Sequence, residues 1–208
     1  MPMTINTIPK YLINFFRYLF SPKLLLFDGD DYLFKTHINS AKVYGEYGCG
    51  ASTIYVALNS YATILSVDSS HDWINYVSNN LSGRGKIKLH YANVGEVGEW
   101  GTPINYKNYF KFNEYTDWIW KQEFSPDIVL IDGRFRVCCF LTSLLLAKEG
   151  TKLIFDDYSN REYYHIVEMF IQPRVTSGRQ ALFIVPNKNQ LNIEKINIFI
   201  DNFRFVLD

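Results

Sequence analysis

Val43-Tyr-Gly-Glu46-Tyr-Gly48-Cys-Gly50-Ala-Ser52-Thr53 is the stretch on which the fold turns. It reads as a short strand that ends in a glycine-rich turn and runs into a helix beginning near Ser52 or Thr53. Gly48 and Gly50 admit backbone angles closed to other residues and leave no side chain in the way, so a ligand can lie on the peptide planes. The new helix turns unpaired N–H groups and the positive end of its dipole toward that ligand. Glu46 sets the sign of the site, because a carboxylate at the mouth of the strand repels phosphate and attracts a cation or an amine.

Outward from this stretch, strands and helices alternate. The pattern predicts a strand over 41–47, a helix over 53–60, a strand over 63–67 ending in Asp68, and a helix over 71–81 capped by Ser69 or Ser70. Strands follow over 86–92 and 127–131, the second continuously apolar as an interior parallel strand is. A helix over 137–148, a strand over 152–155 and a helix over 161–171 complete the run. Such alternation requires a mostly parallel sheet with helices on both faces, with ligands at the carboxyl ends of the strands. Residues 181–185 read as an edge strand stopped by Pro186, and Ile196, Phe199, Ile200 and Phe203 have helical spacing, although 203–207 also fits a strand.

The whole chain of 208 residues, 48% hydrophobic and 17% aromatic, can bury a substantial core. Twenty-one basic and 21 acidic residues cancel, which gives no bulk attraction for nucleic acid or an anionic membrane. Cys49, Cys138 and Cys139 lack disulfide or metal-ligand spacing, which points to a reducing cytoplasm. His37, His71, His90 and His165 are scattered and form no zinc pattern. Residues 1–40 read as an N-terminal extension with a helix over 8–20, too short and too interrupted to span a bilayer, leaving 41–208 as the α/β domain. The run Asp28-Gly-Asp-Asp31 reads as a solvated turn.

Asp68 lies at the end of the second strand, where a carboxylate can accept both hydroxyls of a ribose. A nicotinamide or flavin dinucleotide would want a third glycine at Thr53 and no acid at Glu46, where its pyrophosphate would sit. S-adenosylmethionine has no phosphate but carries a sulfonium and an amino group, so the charge pattern favours the methyl donor.

Glu46-Tyr-Gly48-Cys-Gly50-Ala-Ser52 resembles the acidic-x-Gly-x-Gly-x-Gly signature of the class I S-adenosylmethionine-dependent methyltransferases, with Ser52 in place of the third glycine. The resemblance covers about 41–171 and implies a Rossmann-like, doubly wound sheet in a three-layer α/β/α sandwich. It implies a cofactor site made of Glu46, Tyr47, Gly48, Gly50, Ser52, Thr53, Asp68 as ribose acid, Ser69, Asn93 beside the adenine, and Asp132 at the end of the fourth strand. Val129-Leu-Ile-Asp132-Gly-Arg134-Phe-Arg136 with Phe155-Asp156-Asp157-Tyr158 is similar to small bacterial methyltransferase-like proteins.

Methyl transfer is an in-line displacement, so the protein has to align a nucleophile and, for a hydroxyl, help remove its proton. Asp132, Asp156 and Asp157 end neighbouring strands and can converge, as catalytic acids or as oxygen ligands for magnesium, although adjacent residues of one strand point to opposite faces. Arg134 or Arg136 can clamp a carboxylate or phosphate on the substrate, or serve only in a surface ion pair. Residues 94–125 form an insertion rich in aromatics, including Trp100, Tyr106, Tyr109, Phe110, Phe112, Tyr115, Trp118 and Trp120, suited to wall or cover a pocket, to stack single-stranded bases or to form a homodimer contact. The function expected is methyl transfer to a small molecule, through oxygen. A catalytically silent S-adenosylmethionine-binding or interaction protein is the second reading and a dinucleotide-dependent oxidoreductase the third.

Overall fold

The structure is a computed structural model and describes residues 26–81 and 86–208. The helix expected over 8–20 lies outside the described residues. Seven strands form one sheet: β1 (Val43–Tyr47), β2 (Thr63–Asp68), β3 (Ile87–Tyr91), β4 (Ile128–Ile131), β5 (Lys152–Phe155), β6 (Val175–Ser177) and β7 (Gln180–Ile184). Their order is β3-β2-β1-β4-β5-β7-β6. The first five run parallel, and β7 is antiparallel to both β5 and β6. Strand order reverses between β1 and β4, so the carboxyl ends of these two strands open the crevice in which such folds hold ligands.

Pleating assigns each strand residue to a layer. Val129 and Ile131 face one side with Leu65, Val67, Leu153 and Phe155. Over them pack the helices α4 (Phe112–Asp117), α5 (Arg136–Leu146) and α6 (Ile193–Phe203), together with the 3-10 segment Glu162–Met169. Ile128 and Leu130 face the other side with Tyr44, Ile64 and Ile154, covered by α1 (Tyr32–Ile38) and α2 (Ala51–Asn59). Helix α3 (His71–Asn80) packs beside α2 through Val77 and Ile54, and starts at Ser70, whose hydroxyl accepts the Trp73 N–H. The expected three-layer α/β/α sandwich is the fold observed.

Four local expectations are corrected. The segment expected as a helix over 161–171 is a 3-10 run. Residues 180–184 are an interior strand, because a three-residue strand beyond them, β6, takes the edge. The acidic run is a clasp rather than a solvated turn: Asp28 pairs with Arg179, Ser177 Oγ donates to Asp30, and buried Asp31 accepts the Leu26 N–H and pairs with Lys35. The aromatic insertion splits in two. Phe112, Tyr115 and Ile119 are fully buried in the core, whereas Trp100, Tyr106, Tyr109 and Phe110 are exposed. Its second half is therefore the crossover helix from β3 to β4.

Candidate functional site

The glycine turn is built from beneath. Tyr44 and Glu46, two apart on β1, share the face that α2 covers, and Glu46 lies directly opposite Ser66 on β2. Four hydroxyls converge on the Glu46 carboxylate: Ser66 Oγ at 2.8 Å, Tyr44 Oη at 2.9 Å, and the hydroxyls of Ser52 and Thr53 from the first turn of α2. Thr53 Oγ1 also accepts the Gly50 N–H at 2.9 Å. Burial pushes the Glu46 carboxyl up, and the four donors oppose that shift. With no exposed surface, Glu46 does not stand at the mouth of the strand. It fastens β1, β2 and α2 together, and Ser52 and Thr53 are its partners.

Gly48 also has a structural reason to lack a side chain. Its φ is +92°, and a Cβ there would lie 2.7 Å from Gly133 Cα, so the residue lets β1 and β4 touch backbone to backbone. Gly50 is different, since a Cβ there would meet only the Trp73 ring at 3.8 Å. The open side of the turn is at Gly50. The Tyr47 side chain belongs to the core: its hydroxyl donates to the Thr116 carbonyl, accepts from Trp120 Nε1, and its ring stacks on Tyr115.

Asp68 sits where the spacing puts it. One carboxylate oxygen accepts the Cys49 N–H of the glycine turn at 2.9 Å and the other the Ser70 N–H at 2.6 Å. Burial raises its pKa to about 7, against the pull of those two N–H groups and of Arg134. Each oxygen retains a second lone pair, enough for a sugar diol. Ser69 Oγ donates to the Gly101 carbonyl at 2.7 Å, which seats the turn 98–102 against Asp68. Trp100, in that turn at φ 59°, stacks near parallel to Trp73 with ring centroids 6.1 Å apart. This turn, Trp73 and Thr102 were not foreseen as neighbours of the site. No local spacing joins the loop after β3 to the start of α3. Asn93, the expected adenine contact, is exposed and accepts the Gly95 N–H within its own loop.

Beyond β4 and β5 the three aspartates do converge, with an oxygen of each within 4.8 Å of the others. Asp157 takes φ 58°, a left-handed turn that ends the strand alternation and keeps it beside Asp156. Guanidinium groups accompany them. Arg136 pairs with Asp132 at 3.1 Å and Asp157 at 3.2 Å. Arg161 pairs with Asp157 at 2.9 Å, and Arg179 holds both oxygens of Asp156. Gln180 Nε2 adds a third bond to Asp156. Each of the three carboxylates is already held by at least one guanidinium, so the cluster does not fit the magnesium considered as one use for it. Arg179 was missed in the sequence because it lies in the short β6–β7 hairpin.

Burial and the neighbouring Asp156 push the Asp132 carboxyl well above the ordinary carboxylate range, with Arg136 opposing. Between Arg134 and Arg136, Phe135 is fully buried at φ 55° and ψ 37°, packed on Phe112 and Tyr115 at ring separations of 4.9 and 5.5 Å. A left-handed phenylalanine costs about 1–3 kcal/mol and persists only where packing dictates it. The turn sends Arg136 inward to the acids, while Arg134 Nη1 reaches Thr102 Oγ1 at 3.1 Å.

No protein-family model and no curated protein matches the chain. Among solved structures it is similar to a methyltransferase-like protein from Silicibacter pomeroyi, at 30% identity and a TM-score of 0.68, over 79% of this chain and 91% of that one. The chain belongs to the class I S-adenosylmethionine-dependent methyltransferases. The N-methyltransferase NodS from Bradyrhizobium japonicum, solved with S-adenosylhomocysteine, shares the fold at 12% identity and a TM-score of 0.50, over 82% of this chain and 91% of that one. Among the described residues, no helix of this methyltransferase is long and apolar enough to cross a membrane.

Proposed function

We propose that this methyltransferase binds S-adenosylmethionine across the carboxyl ends of β1 and β2 and moves its methyl group to an oxygen of a small-molecule acceptor. The observation that carries the reading is Asp68. Its carboxylate is anchored by the N–H of the glycine turn itself, so the ribose acceptor and the open peptide at Gly50 form one unit. A buried carboxylate with free lone pairs suits a diol. The bound S-adenosylhomocysteine of the NodS structure fits this reading.

In the transfer, the acceptor oxygen attacks the methyl carbon, the sulfonium sulfur leaves as the thioether, and the acceptor's proton has to go elsewhere. Asp132 is the candidate proton acceptor. Its side chain is 26% exposed, against 0% for Asp156 and 12% for Asp157, so it is the acid of the three that an acceptor can reach, and burial beside Asp156 raises its proton affinity. Asp156, Asp157 and Arg136 are positioning residues that hold it.

Calorimetry with S-adenosylmethionine and with NADH tests the donor, and only the first binds on this reading. Release of S-adenosylhomocysteine across a panel of hydroxylated small molecules tests transfer, with loss of activity expected in Asp132→Asn. NADH binding alone would sink the proposal. The ion pairing of all three acids favours one second reading, a protein that binds the donor without turnover; binding with no release on any acceptor would select it.

A further inference from the structure

Two arginines two residues apart have opposite surroundings. Arg136 gives its guanidinium to Asp132 and Asp157 and to the carbonyls of Gly133, Asp156 and Asp132. Among the described residues Arg134 has one side-chain bond, from Nη1 to the neutral hydroxyl of Thr102, and its Nε is buried with no partner there. Among the described residues no carboxylate pairs with it, although Arg136, Arg161 and Arg179 all have acids. A buried, unpaired edge of a guanidinium is costly, and the group that relieves it is an oxyanion, which takes Nε and a terminal nitrogen together as a fork.

The backbone holds this guanidinium in place. The Arg134 N–H donates to Tyr115 Oη at 3.0 Å, and a Cβ at Gly133 would collide with that same hydroxyl, so the turn admits no side chain there. Phe135 then sits left-handed in the core and swings the two arginines apart. Arg134 is thereby aimed at the crevice bounded by Thr102, the turn over Ser69, and Asp68. Its charge is met by no salt bridge among the described residues, which leaves that edge of the guanidinium for an anionic group.

We infer that Arg134 is an anion anchor in the transfer crevice, receiving a carboxylate or phosphate through the two-pronged edge of its guanidinium. The oxyanion has two sources: an acidic group on the methyl acceptor, or the amino-acid carboxylate of the donor. In the first case the acceptor is an acidic small molecule, and this deepening rests on the methyltransferase reading above. Anion binding itself requires no turnover.

The test compares wild type, Arg134→Gln and Arg134→Lys by calorimetry with four probes: S-adenosylhomocysteine, 5′-methylthioadenosine, benzoate and inorganic phosphate. The small anions are titrated with and without saturating S-adenosylhomocysteine. If the acceptor supplies the anion, Arg134→Gln loses about tenfold or more in benzoate or phosphate affinity on the S-adenosylhomocysteine-saturated protein and keeps wild-type affinity for S-adenosylhomocysteine. If the donor supplies it, S-adenosylhomocysteine weakens by that factor and 5′-methylthioadenosine, which lacks the amino-acid end, does not. Arg134→Lys keeps the charge but not the fork and falls between. The inference is overturned if Arg134→Gln, with wild-type circular dichroism and melting temperature, binds all four probes as wild type does. Should the Gln variant fail to fold, wild-type affinities in Arg134→Lys overturn it. A wild type that ignores S-adenosylhomocysteine defeats the methyltransferase reading, and loss of benzoate or phosphate binding in Arg134→Gln then still upholds the anchor.

Discussion

Glu46 and Asp156 are both fully buried, yet one is surrounded by hydroxyl groups and the other by a guanidinium and an amide. Around Glu46 every donor is neutral and comes from β1, β2 or the first turn of α2, so the charge is solvated by fixed dipoles. Around Asp156, and its neighbours Asp132 and Asp157, charge is answered by charge from the β6–β7 hairpin, from α5 and from the loop before the 3-10 segment. The first arrangement suits a part that must not move. The second is a set of exchangeable partners in which one acid, Asp132, keeps an exposed edge and a raised pKa. A rigid end for the donor and an adjustable end for the chemistry is the division of labour that this contrast suggests.

Several measurements would break or sharpen that contrast. The largest effect is expected at Asp156→Ala, which leaves Gln180 without this acceptor and Arg179 with only Asp28 and Asp157, and should cost about 3–5 kcal/mol in urea denaturation, the scale of a broken buried pair. A loss below about 1 kcal/mol would place the cluster with surface ion pairs. Glu46→Gln keeps the shape but replaces two acceptor lone-pair sites by donors facing hydroxyls, so about 1–3 kcal/mol should go. Asp68→Ala should weaken S-adenosylhomocysteine binding by about 1.5–3 kcal/mol in calorimetry, the scale of a charge-assisted hydrogen bond.

The pH dependence of Asp68 follows from its raised pKa of about 7. In the unfolded chain this carboxyl ionises near its ordinary value of 3.8, so over the window between those two values the folded state holds a proton that the unfolded state has lost. Its contribution to stability is present below that window and is lost as pH rises through it. Donor affinity moves the other way, tightening as pH passes about 7, because the ionised form accepts both ribose hydroxyls. Asp68→Asn should flatten both profiles. The smallest effect belongs to magnesium: adding it, or removing it with a chelator, should leave the melting temperature within error, since the arginines already hold the aspartates.

Much of this was legible in the chain because the periods of strand and helix are long and clean from β1 to β5. Asp68 was legible because its place depends only on where β2 ends. The Glu46 web was not, since Tyr44 and Ser66 meet it through pleat direction and strand register, which no linear spacing displays. β6 escaped notice because it is three partly exposed residues. The insertion misled because burial and exposure of aromatics look alike in sequence: Phe112 and Phe110 differ by two positions and lie on opposite sides of the boundary.

The contact between Gly48 and Gly133 has a practical consequence for anyone who scans the glycine turn by mutation. Alanine at position 48 would press a methyl group onto the opposite main chain and unfold the crevice, and the lost activity would be misread as lost donor contact. Alanine at position 50 finds ordinary van der Waals room beside an indole and an extended φ of 173°, so it alone reports on what lies over the turn.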